Sequence, residues 1–270
     1  MKNLILVRGA GDLATGTILH LHRCGFRVLA VECAQPSAIR RGAAFSEAVY
    51  DGVTEVEGVI CRRIAHIREI ESCHMRCEVP LFVDETLSCL AEIHPAAVVD
   101  AILAKRNLGT QRSMAPITVG LGPGFTAGED VDAVVETMRG HDLGRVLYAG
   151  AALPNTGVPG LIAGEGAKRV IHAPAAGNIV HKAKIGDLVE AGQTIALLGD
   201  TPVKATLTGV LRGLIRAGYP VTRGLKIADI DPRGEQQKNC FTVSDKARCI
   251  AGGVLEALLT LAREREVELL

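Results

Sequence analysis

The sequence predicts an α/β protein in which a sheet domain is followed by a small all-β domain and a C-terminal helix. Three observations predict this class. An apolar run ends at a glycine-rich turn, and a helical pattern and a second apolar run follow it. Later in the chain, seven residues recur at a single offset, and the C-terminal segment returns to a helical pattern. The predicted domain boundaries are 1–164, 165–233 and 234–270.

The N-terminal segment has the pattern of one strand–helix–strand unit. Residues 4–7 are continuously apolar, as in a strand buried on both faces of a parallel sheet. One apolar helical stripe follows and ends at Gly25, and residues 26–31 supply a second strand. A βαβ unit of this size predicts a Rossmann-like cofactor-binding domain with a parallel or mixed sheet over 1–164.

Further apolar runs extend this sheet in the prediction. Residues 81–83, 97–99 and 117–121 are short, apolar and bounded by polar or glycine-rich segments. Residues 131–137 are rich in β-branched side chains and precede a turn, which favours a hairpin with residues 145–148.

The first turn carries the clearest binding motif, Gly9-Ala10-Gly11-Asp12-Leu13-Ala14. It fits the pattern G-x-G-x-x-[G/A] in the context that the pattern requires, after a strand and at the start of a helix. Gly9 permits the tight turn, Gly11 lets backbone N–H groups approach a phosphate, and Ala14 allows close helix–strand packing. We therefore expect a nucleotide or similar phosphate-bearing ligand here; the alternative is a purely structural turn.

Two carboxylates accompany this motif. Glu32 ends the second apolar run, where an acidic side chain can accept hydrogen bonds from ribose hydroxyls. Asp12 is unusual beside a phosphate, because its charge repels an anion unless the carboxylate caps the helix. Both are expected to lie at the cofactor site.

Two other groups are candidates for the same site. Arg40 and Arg41 follow the second strand and can clamp a phosphate or carboxylate, or lie in a solvated loop. Gly122 and Gly124 belong to a second glycine-rich loop, residues 120–128, which lacks the Gly-Lys-Ser/Thr ending of a P-loop.

Composition excludes several classes of partner. Lys plus Arg equals Asp plus Glu at 30 each, and aromatic residues make up 3% without Trp, so nucleic acid is not an expected partner. No apolar run has the length of a membrane span or of a signal-peptide core, which predicts a cytoplasmic protein without a membrane partner. Cys73 and Cys77 form a lone C-x3-C pair, so we expect reduced thiols and no metal site. A homo-oligomer is left open.

The segment after the Pro/Gly-rich residues 154–160 contains an internal repeat of 32 residues. Its first members are Ala173, Gly177, Gly186, Val189, Gly192, Ile195 and Leu198, and their partners are Ala205, Gly209, Gly218, Val221, Gly224, Ile227 and Ile230. Short apolar segments between glycine turns predict a two-fold β-sandwich or barrel. An apolar helical stripe then begins after Ser244, a suitable N-cap, and contains Gly252 and Gly253, which we expect to be sites of close packing. We expect this C-terminal helix to dock on the first domain.

Five stretches carry a family resemblance: residues 9–16, 39–41, 120–128, 136–141 and 154–157. They are similar to the YqeB family, accessory proteins of selenium-dependent molybdenum hydroxylase systems whose N-terminal part is related to XdhC-type maturation factors. The resemblance implies a protein that helps to equip a molybdenum hydroxylase with its cofactor. It transfers no catalytic residue, so the catalytic residues are unknown and whether the chain is an enzyme stays open.

The repeat region separately resembles the barrel-sandwich of biotinyl and lipoyl domains, through residues 173–177 and 186–193. The attachment lysine of such domains stands at a hairpin tip, whereas Lys204 corresponds to His172 in the repeat and lies at the start of a strand. We therefore expect no biotin or lipoyl group.

The sequence thus predicts an accessory or maturation factor for a selenium-dependent molybdenum hydroxylase. The expected ligand is a nucleotide such as NAD(P) or a molybdopterin-type cofactor, bound at the N-terminal glycine-rich turn. The alternatives are an NAD(P)-dependent oxidoreductase and a carrier module.

Overall fold

The computed structural model describes residues 3–158 and 160–270. The chain forms two compact units, each assembled from separate segments. Unit 1 contains the described residues up to Pro36, together with Ala44–Asn155 and Val243–Leu270. Unit 2 contains Ser37–Ala43 and the described residues of Thr156–Thr242.

Unit 1 has eleven strands and five α-helices among its described residues. The strands are β1 Leu4–Arg8, β2 Arg27–Glu32, β3 Val53–Val56, β4 Val59–Ile64, β5 Val79–Val83, β6 Ala97–Asp100, β7 Ile117–Leu121, β8 Thr126–Ala127, β9 Ala133–Val135, β10 Val146–Leu147 and β11 Gly150–Ala151. The helices are α1 Asp12–Arg23, α2 Ala48–Asp51, α3 Ile70–Met75, α4 Leu90–Ile93 and α5 Asp245–Arg265. Short 3-10 turns lie at Phe45–Glu47, Ile67–Glu69 and Arg112–Met114.

Nine of these strands form one mixed sheet in the order β10-β9-β7-β6-β1-β2-β5-β4-β3. The seven inner strands are parallel, and β10 and β3 pair antiparallel to their neighbours at the two edges. Strands β8 and β11 form a separate two-stranded ribbon. The expected hairpin is confirmed, because Val135 of β9 pairs with Val146 of β10.

Alternate residues of the central strands face two apolar layers, as the period of a β-strand requires. Ile5 and Val7 of β1 pack in one layer with the apolar faces of α1 and α5. Leu4 and Leu6 pack in the other layer with Ile70 of α3. The sheet is therefore buried on both faces at its centre.

Helix α5 covers the same face of the sheet as α1. Ser244 caps it as expected, since its Oγ accepts the N–H of Ala247 at 3.2 Å. A Cβ on Gly16 of α1 would lie 2.7 Å from the Cβ of Ala247, so the two helices touch near their N-termini. A Cβ on Gly253 would lie 2.2 Å from the carbonyl oxygen of Gly144, which confirms close packing there, whereas Gly252 faces open space.

Unit 2 has eight strands in two antiparallel sheets. The strands are β12 Val170–His172, β13 Gly177–His181, β14 Leu188–Val189, β15 Thr194–Leu198, β16 Thr201–Lys204, β17 Gly209–Leu214, β18 Pro220–Val221 and β19 Lys226–Asp231, and 3-10 turns lie at Arg41–Ala43, Ala167–Arg169 and Gln237–Phe241. One sheet has the order β12-β19-β17-β14 and the other β16-β15-β13-β18. Each strand from β12 to β15 thus has a counterpart near the 32-residue offset.

The expected Rossmann-like class is wrong for unit 1. In that class, crossover helices connect successive parallel strands on both faces of the sheet. Here α1, with 12 residues, is the one crossover helix of substantial length in the described part of unit 1, because α2, α3 and α4 have four to six residues. The observed fold is instead a mixed α/β fold on a large nine-stranded sheet, with α5 supplying much of one face.

The expected lipoyl-like barrel-sandwich is also wrong as the class of unit 2. The unit is not the self-contained domain expected over 165–233, because segments outside that range complete it. The N–H of Leu214 donates to the carbonyl oxygen of Ile39 at 2.8 Å, and a Cβ on Gly42 would lie 2.8 Å from the Phe241 ring. A pattern of repeated turns cannot reveal such additions, because they come from distant parts of the sequence.

Within the described residues, no helix is long and apolar enough to cross a membrane.

Candidate functional site

Strand β1 lies at the centre of the unit 1 sheet, and later strands are added on both sides of it. Strand β1 lies between β2, which follows it through α1, and β6, which leads outward to β7 on the opposite side. Ligands of open α/β sheets bind at such a switch point, outside the carboxyl ends of the strands. The carboxyl ends of β1, β2 and β6 bring Arg8, Glu32 and Asp100 to this edge.

The turn between β1 and α1 contains two glycines with different roles. Gly9 has a φ of +99°, and a Cβ there would lie 3.1 Å from the carbonyl carbon of Ala101. Gly11 has an ordinary φ of −64° and a ψ of 179°, and a Cβ on it would meet nothing within 4 Å. The protein's own packing therefore requires glycine at Gly9 and leaves open space at Gly11.

Gly11 is also the N-cap of α1, and no side chain caps the helix there. Asp12 is the first helical residue and is half-buried, whereas Ala14 is buried against the sheet. The motif positions Gly9, Gly11, Asp12 and Ala14 thus lie together at the helix N-terminus. This end of α1 carries a partial positive charge, which favours an anion.

Glu32 is built into the turn. Its Oε2 accepts the N–H of Ala10 at 2.8 Å, and its Oε1 accepts the N–H of Cys33 at 2.8 Å. Burial and the Glu32 carboxylate raise the pKa of the Cys33 thiol to about 12, so this thiol is protonated at neutral pH. Sequence reasoning placed Glu32 correctly at the edge but missed its hydrogen bond to the turn; a role in binding ribose stays a prediction.

A buried ion pair joins the ends of β1 and β6. Nη1 of Arg8 donates to Oδ2 of Asp100 at 3.2 Å and to Oγ1 of Thr110 at 2.9 Å, and Thr110 Oγ1 donates to Asp100 at 2.6 Å. Nη2 of Arg8 donates to the carbonyl oxygen of Leu108 at 3.0 Å. Sequence reasoning missed this network, which fixes the loop after β6 beside Gly9.

The second glycine-rich loop is packed against its own chain. A Cβ on Gly122 would lie 2.4 Å from Oγ1 of Thr137, and one on Gly124 would lie 2.5 Å from the Cα of Arg106. A Cβ on Gly120 would lie 2.6 Å from the Phe125 ring. Internal packing therefore accounts for these glycines, and the binding role of Gly122 and Gly124 stays a prediction.

Arg40 and Arg41 belong to unit 2, where backbone carbonyl groups accept their guanidinium N–H groups. Nη2 of Arg40 donates to the carbonyl oxygens of Asn239 at 2.9 Å and Thr242 at 3.0 Å. Nε of Arg41 donates to the carbonyl oxygen of Leu214 at 2.7 Å. These contacts hold the segments of unit 2 together, and a phosphate-binding role for the two residues stays a prediction.

Lys246 is a functional candidate that sequence reasoning missed. It lies in the first turn of α5, is half-buried, and makes no hydrogen bond or ion pair with the described residues. Burial lowers its pKa, the positive charge of Arg139 lowers it further, and the carboxylates of Asp12 and Glu136 act in the opposite direction. The only sequence signal was its place two residues after the Ser244 N-cap.

No metal centre is evident in the part of the chain that the structure describes, since it contains no cluster of three or more His, Cys, Asp or Glu side chains placed to hold an ion. Cys73 is buried and Cys77 is exposed.

These observations define a mixed α/β protein with an uncapped helix N-terminus and an open glycine position at the carboxyl edge of a central parallel strand. The chain is 52% identical over 261 residues to YqeB, an uncharacterized protein of Escherichia coli (strain K12). That alignment covers 97% of the chain and 48% of YqeB, so the chain spans about half the length of this relative. The identity supports the resemblance to the YqeB family. No family model matches the chain.

The solved structures found to match the chain are only weakly similar to it. An aspartoacylase family protein from Mesorhizobium loti is 12% identical with a TM-score of 0.26, covering 86% of this chain and 85% of that protein. The ectoine utilization protein EutE (DoeB) from Ruegeria pomeroyi is 13% identical, with a TM-score of 0.24 and 85% coverage of both chains. A succinylglutamate desuccinylase/aspartoacylase from Rhodobacter sphaeroides is 16% identical, with a TM-score of 0.25 and 85% coverage of both chains. TM-scores of this size do not establish a shared fold.

Proposed function

We propose that the chain binds a phosphate-bearing small molecule, a nucleotide or a molybdopterin-type cofactor, at the turn formed by residues 9–12. Gly11 carries this proposal. Its backbone conformation suits any residue, and its missing side chain leaves space that no described atom fills. A glycine that the fold itself does not require has a reason to be there if a ligand approaches the backbone closely.

The electrostatics of the turn support an anionic ligand. The first N–H groups of α1 lie at the edge of the sheet without a side-chain cap. The first turn of α5 lies beside them, because Gly16 and Ala247 are in contact, and adds the ammonium group of Lys246. The negative charge of Asp12 is therefore accompanied by a positive charge from the neighbouring helix.

We further propose that this binding serves an accessory or maturation role for a selenium-dependent molybdenum hydroxylase in the cytoplasm. This role rests on the resemblance of the sequence to the YqeB family and, in the N-terminal part, to XdhC-type maturation factors. The hydroxylase is the proposed partner. Deletion of the gene is expected to abolish the hydroxylase activity while the hydroxylase polypeptide is still made, and full activity in the deletion strain would refute the role.

Ligand titration tests the binding site directly. Purified protein is titrated with ATP, GTP, NADH, NADPH and molybdopterin, and at least one is expected to bind with 1:1 stoichiometry. Gly11→Val is expected to weaken that binding by tenfold or more, because a branched side chain fills the space at the turn. The matched control is Gly252→Val, since Gly252 also faces open space with an ordinary φ but lies on the exposed side of α5.

The same titration distinguishes the proposed accessory role from the alternative, an NAD(P)-dependent oxidoreductase. Binding of NADH or NADPH accompanied by oxidation of the nicotinamide with a substrate would favour an oxidoreductase over an accessory protein. Equal affinities for wild type and Gly11→Val would remove the turn as the binding site.

A further inference from the structure

Resting on the proposed function, we infer that Lys246 binds the anionic group of the ligand at the glycine turn and offsets the charge of Asp12. Helices α1 and α5 both begin at the carboxyl edge of the sheet. Nδ2 of Asn3, just before β1, donates to the carbonyl oxygen of Leu270 at 2.9 Å. The end of the chain after α5 thus lies at the amino edge of the sheet, and the N-terminus of α5 lies at the carboxyl edge, beside the N-terminus of α1.

The contact between α1 and α5 brings the N-terminal turns of the two helices close together. Gly16 touches Ala247, and Asp12 precedes Gly16 by about one helical turn, or about 6 Å. Lys246 adjoins Ala247 in sequence. The N-terminal turns that carry Asp12 and Lys246 therefore lie side by side, and the Asp12 carboxylate acts on the ammonium by favouring its charged form.

Two charged groups that act on Lys246, those of Arg139 and Glu136, have other hydrogen-bond partners. Both guanidinium Nη atoms of Arg139 donate to the Asp245 carboxylate at 2.8 Å. One oxygen of Glu136 accepts the N–H of Met138 and the other accepts the N–H of Leu153 at 2.8 Å. The Lys246 ammonium has three N–H donors and no hydrogen-bond acceptor among the described residues.

A phosphate at the Gly11 space would meet the N–H groups of α1 on one side. It would also meet the carboxylate of Asp12, which repels it unless a cation stands nearby. A lysine ammonium is a compact point charge on a flexible stem, suited to a phosphate that approaches a backbone turn. Lys246 is thus assigned to ligand binding, where its positive charge offsets the negative charge of Asp12.

The test measures how three variants bind the tightest binder among ATP, GTP, NADH, NADPH and molybdopterin. Lys246→Met is expected to weaken binding about 10- to 100-fold, the loss typical of a hydrogen bond to a charged group. Lys246→Arg is expected to retain most of the affinity, and Asp12→Asn to strengthen binding by a few-fold. Lys182→Met, at an exposed lysine of unit 2, is the control and is expected to bind as wild type does.

A second measurement separates binding from a structural role. NMR titration of protein labelled at lysine Nζ is expected to show the pKa of Lys246 rising when the ligand is added, which a merely structural lysine would not do. Unchanged affinity in Lys246→Met, or an unmoved Lys246 signal on ligand binding, would overturn this inference and leave the turn as a site. If wild type binds none of these five ligands, the proposed function and this inference fall together.

Discussion

Two glycine-rich segments lie at the carboxyl edge of the same sheet, the turn at residues 9–14 and the loop at residues 120–128. Both follow a buried parallel strand, and sequence inspection treats them alike. In the loop, Gly122 and Gly124 lie against Thr137 and the Arg106 backbone, so internal packing requires them. In the turn, Gly11 has an ordinary conformation and faces empty space.

The comparison separates three reasons for glycine that a motif cannot distinguish. One is a positive φ, one is a close approach of the chain to itself, and one is room for another molecule. Gly124 has the first two reasons, whereas Gly11 has neither, so the proposed ligand is the reason left for glycine at this turn.

The largest expected effect is that of Gly124→Ala on stability. Its φ of +110° costs about 1 to 2 kcal/mol for an L-residue, and its contact with the Arg106 backbone adds about 1 to 3 kcal/mol of overpacking. Urea unfolding should show a loss of about 2 to 5 kcal/mol. Gly128→Ala, with φ +90° and no atom near its Cβ, is the control and should lose only the conformational part. Equal losses would show that packing does not distinguish the two positions.

Glu32→Ala tests how the first turn is held. Removing the carboxylate leaves the N–H of the buried Ala10 without its partner, which should cost about 1 to 3 kcal/mol of stability. Affinity for ATP and for inorganic pyrophosphate should fall together, because both depend on the turn. Glu85→Ala, which removes an exposed acceptor of the Ala34 N–H, should cost less. A loss confined to ATP, with stability preserved, would instead support a ribose contact by Glu32.

Gly11→Val should reduce the stability of the fold less than either Gly124→Ala or Glu32→Ala. Its Cβ meets no atom and its φ is ordinary, so the free energy of unfolding should change by less than about 1 kcal/mol. Urea unfolding of Gly11→Val and Gly252→Val in parallel measures this. A loss comparable to that of Gly124→Ala would mean that Gly11 serves the fold, and the contrast between the two segments would disappear.

In unit 2 we expect no covalently attached biotin or lipoyl group. Gly199 there is a glycine required only by its positive φ. Gly199 has a φ of +57° and open space around its Cβ, as a tight turn between β15 and β16 requires. Lys204 pairs with Thr194 within that hairpin, away from the turn itself. Intact-mass analysis of protein from its native host should show no lipoyl or biotinyl increment, and an increment on Lys204 would revive the carrier hypothesis.

Local patterns predicted the parts of unit 1 that depend on neighbours in sequence. Strand β1, helix α1 with Gly25 after it at φ +90°, and strand β2 follow from periodicity and a stop signal. The Ser244 cap was likewise readable. The hairpin of β3 and β4 went unpredicted, although Glu57-Gly58, both at positive φ, separate two segments with β-branched residues.

Contacts between segments distant in sequence could not be predicted from local patterns, and both the fold class and the candidate site depend on such contacts. The C-terminal helix was expected to dock on the first domain, but nothing local indicates that it covers the face of the sheet beside α1, so the Rossmann-like expectation lacked its main helical layer. The same omission hid Lys246, because a lysine in a first helical turn is ordinary until the neighbouring helix is known. Glu32 was placed by its strand, but its partner Ala10 depends on the geometry of the turn.

The discontinuity of unit 1 has a consequence for its biosynthesis. Helix α1 ends at Arg23 and its partner α5 begins at Asp245, so more than 200 residues of chain are made between them. At about 5 to 20 residues per second, the ribosome needs about 10 to 45 seconds for this interval. During that time the apolar face that α1 and β1 share lacks the cover of Ile250 and Val254. Exposed apolar surface of this kind makes a partly made chain prone to aggregation, and the candidate site is completed only when α5 has been made.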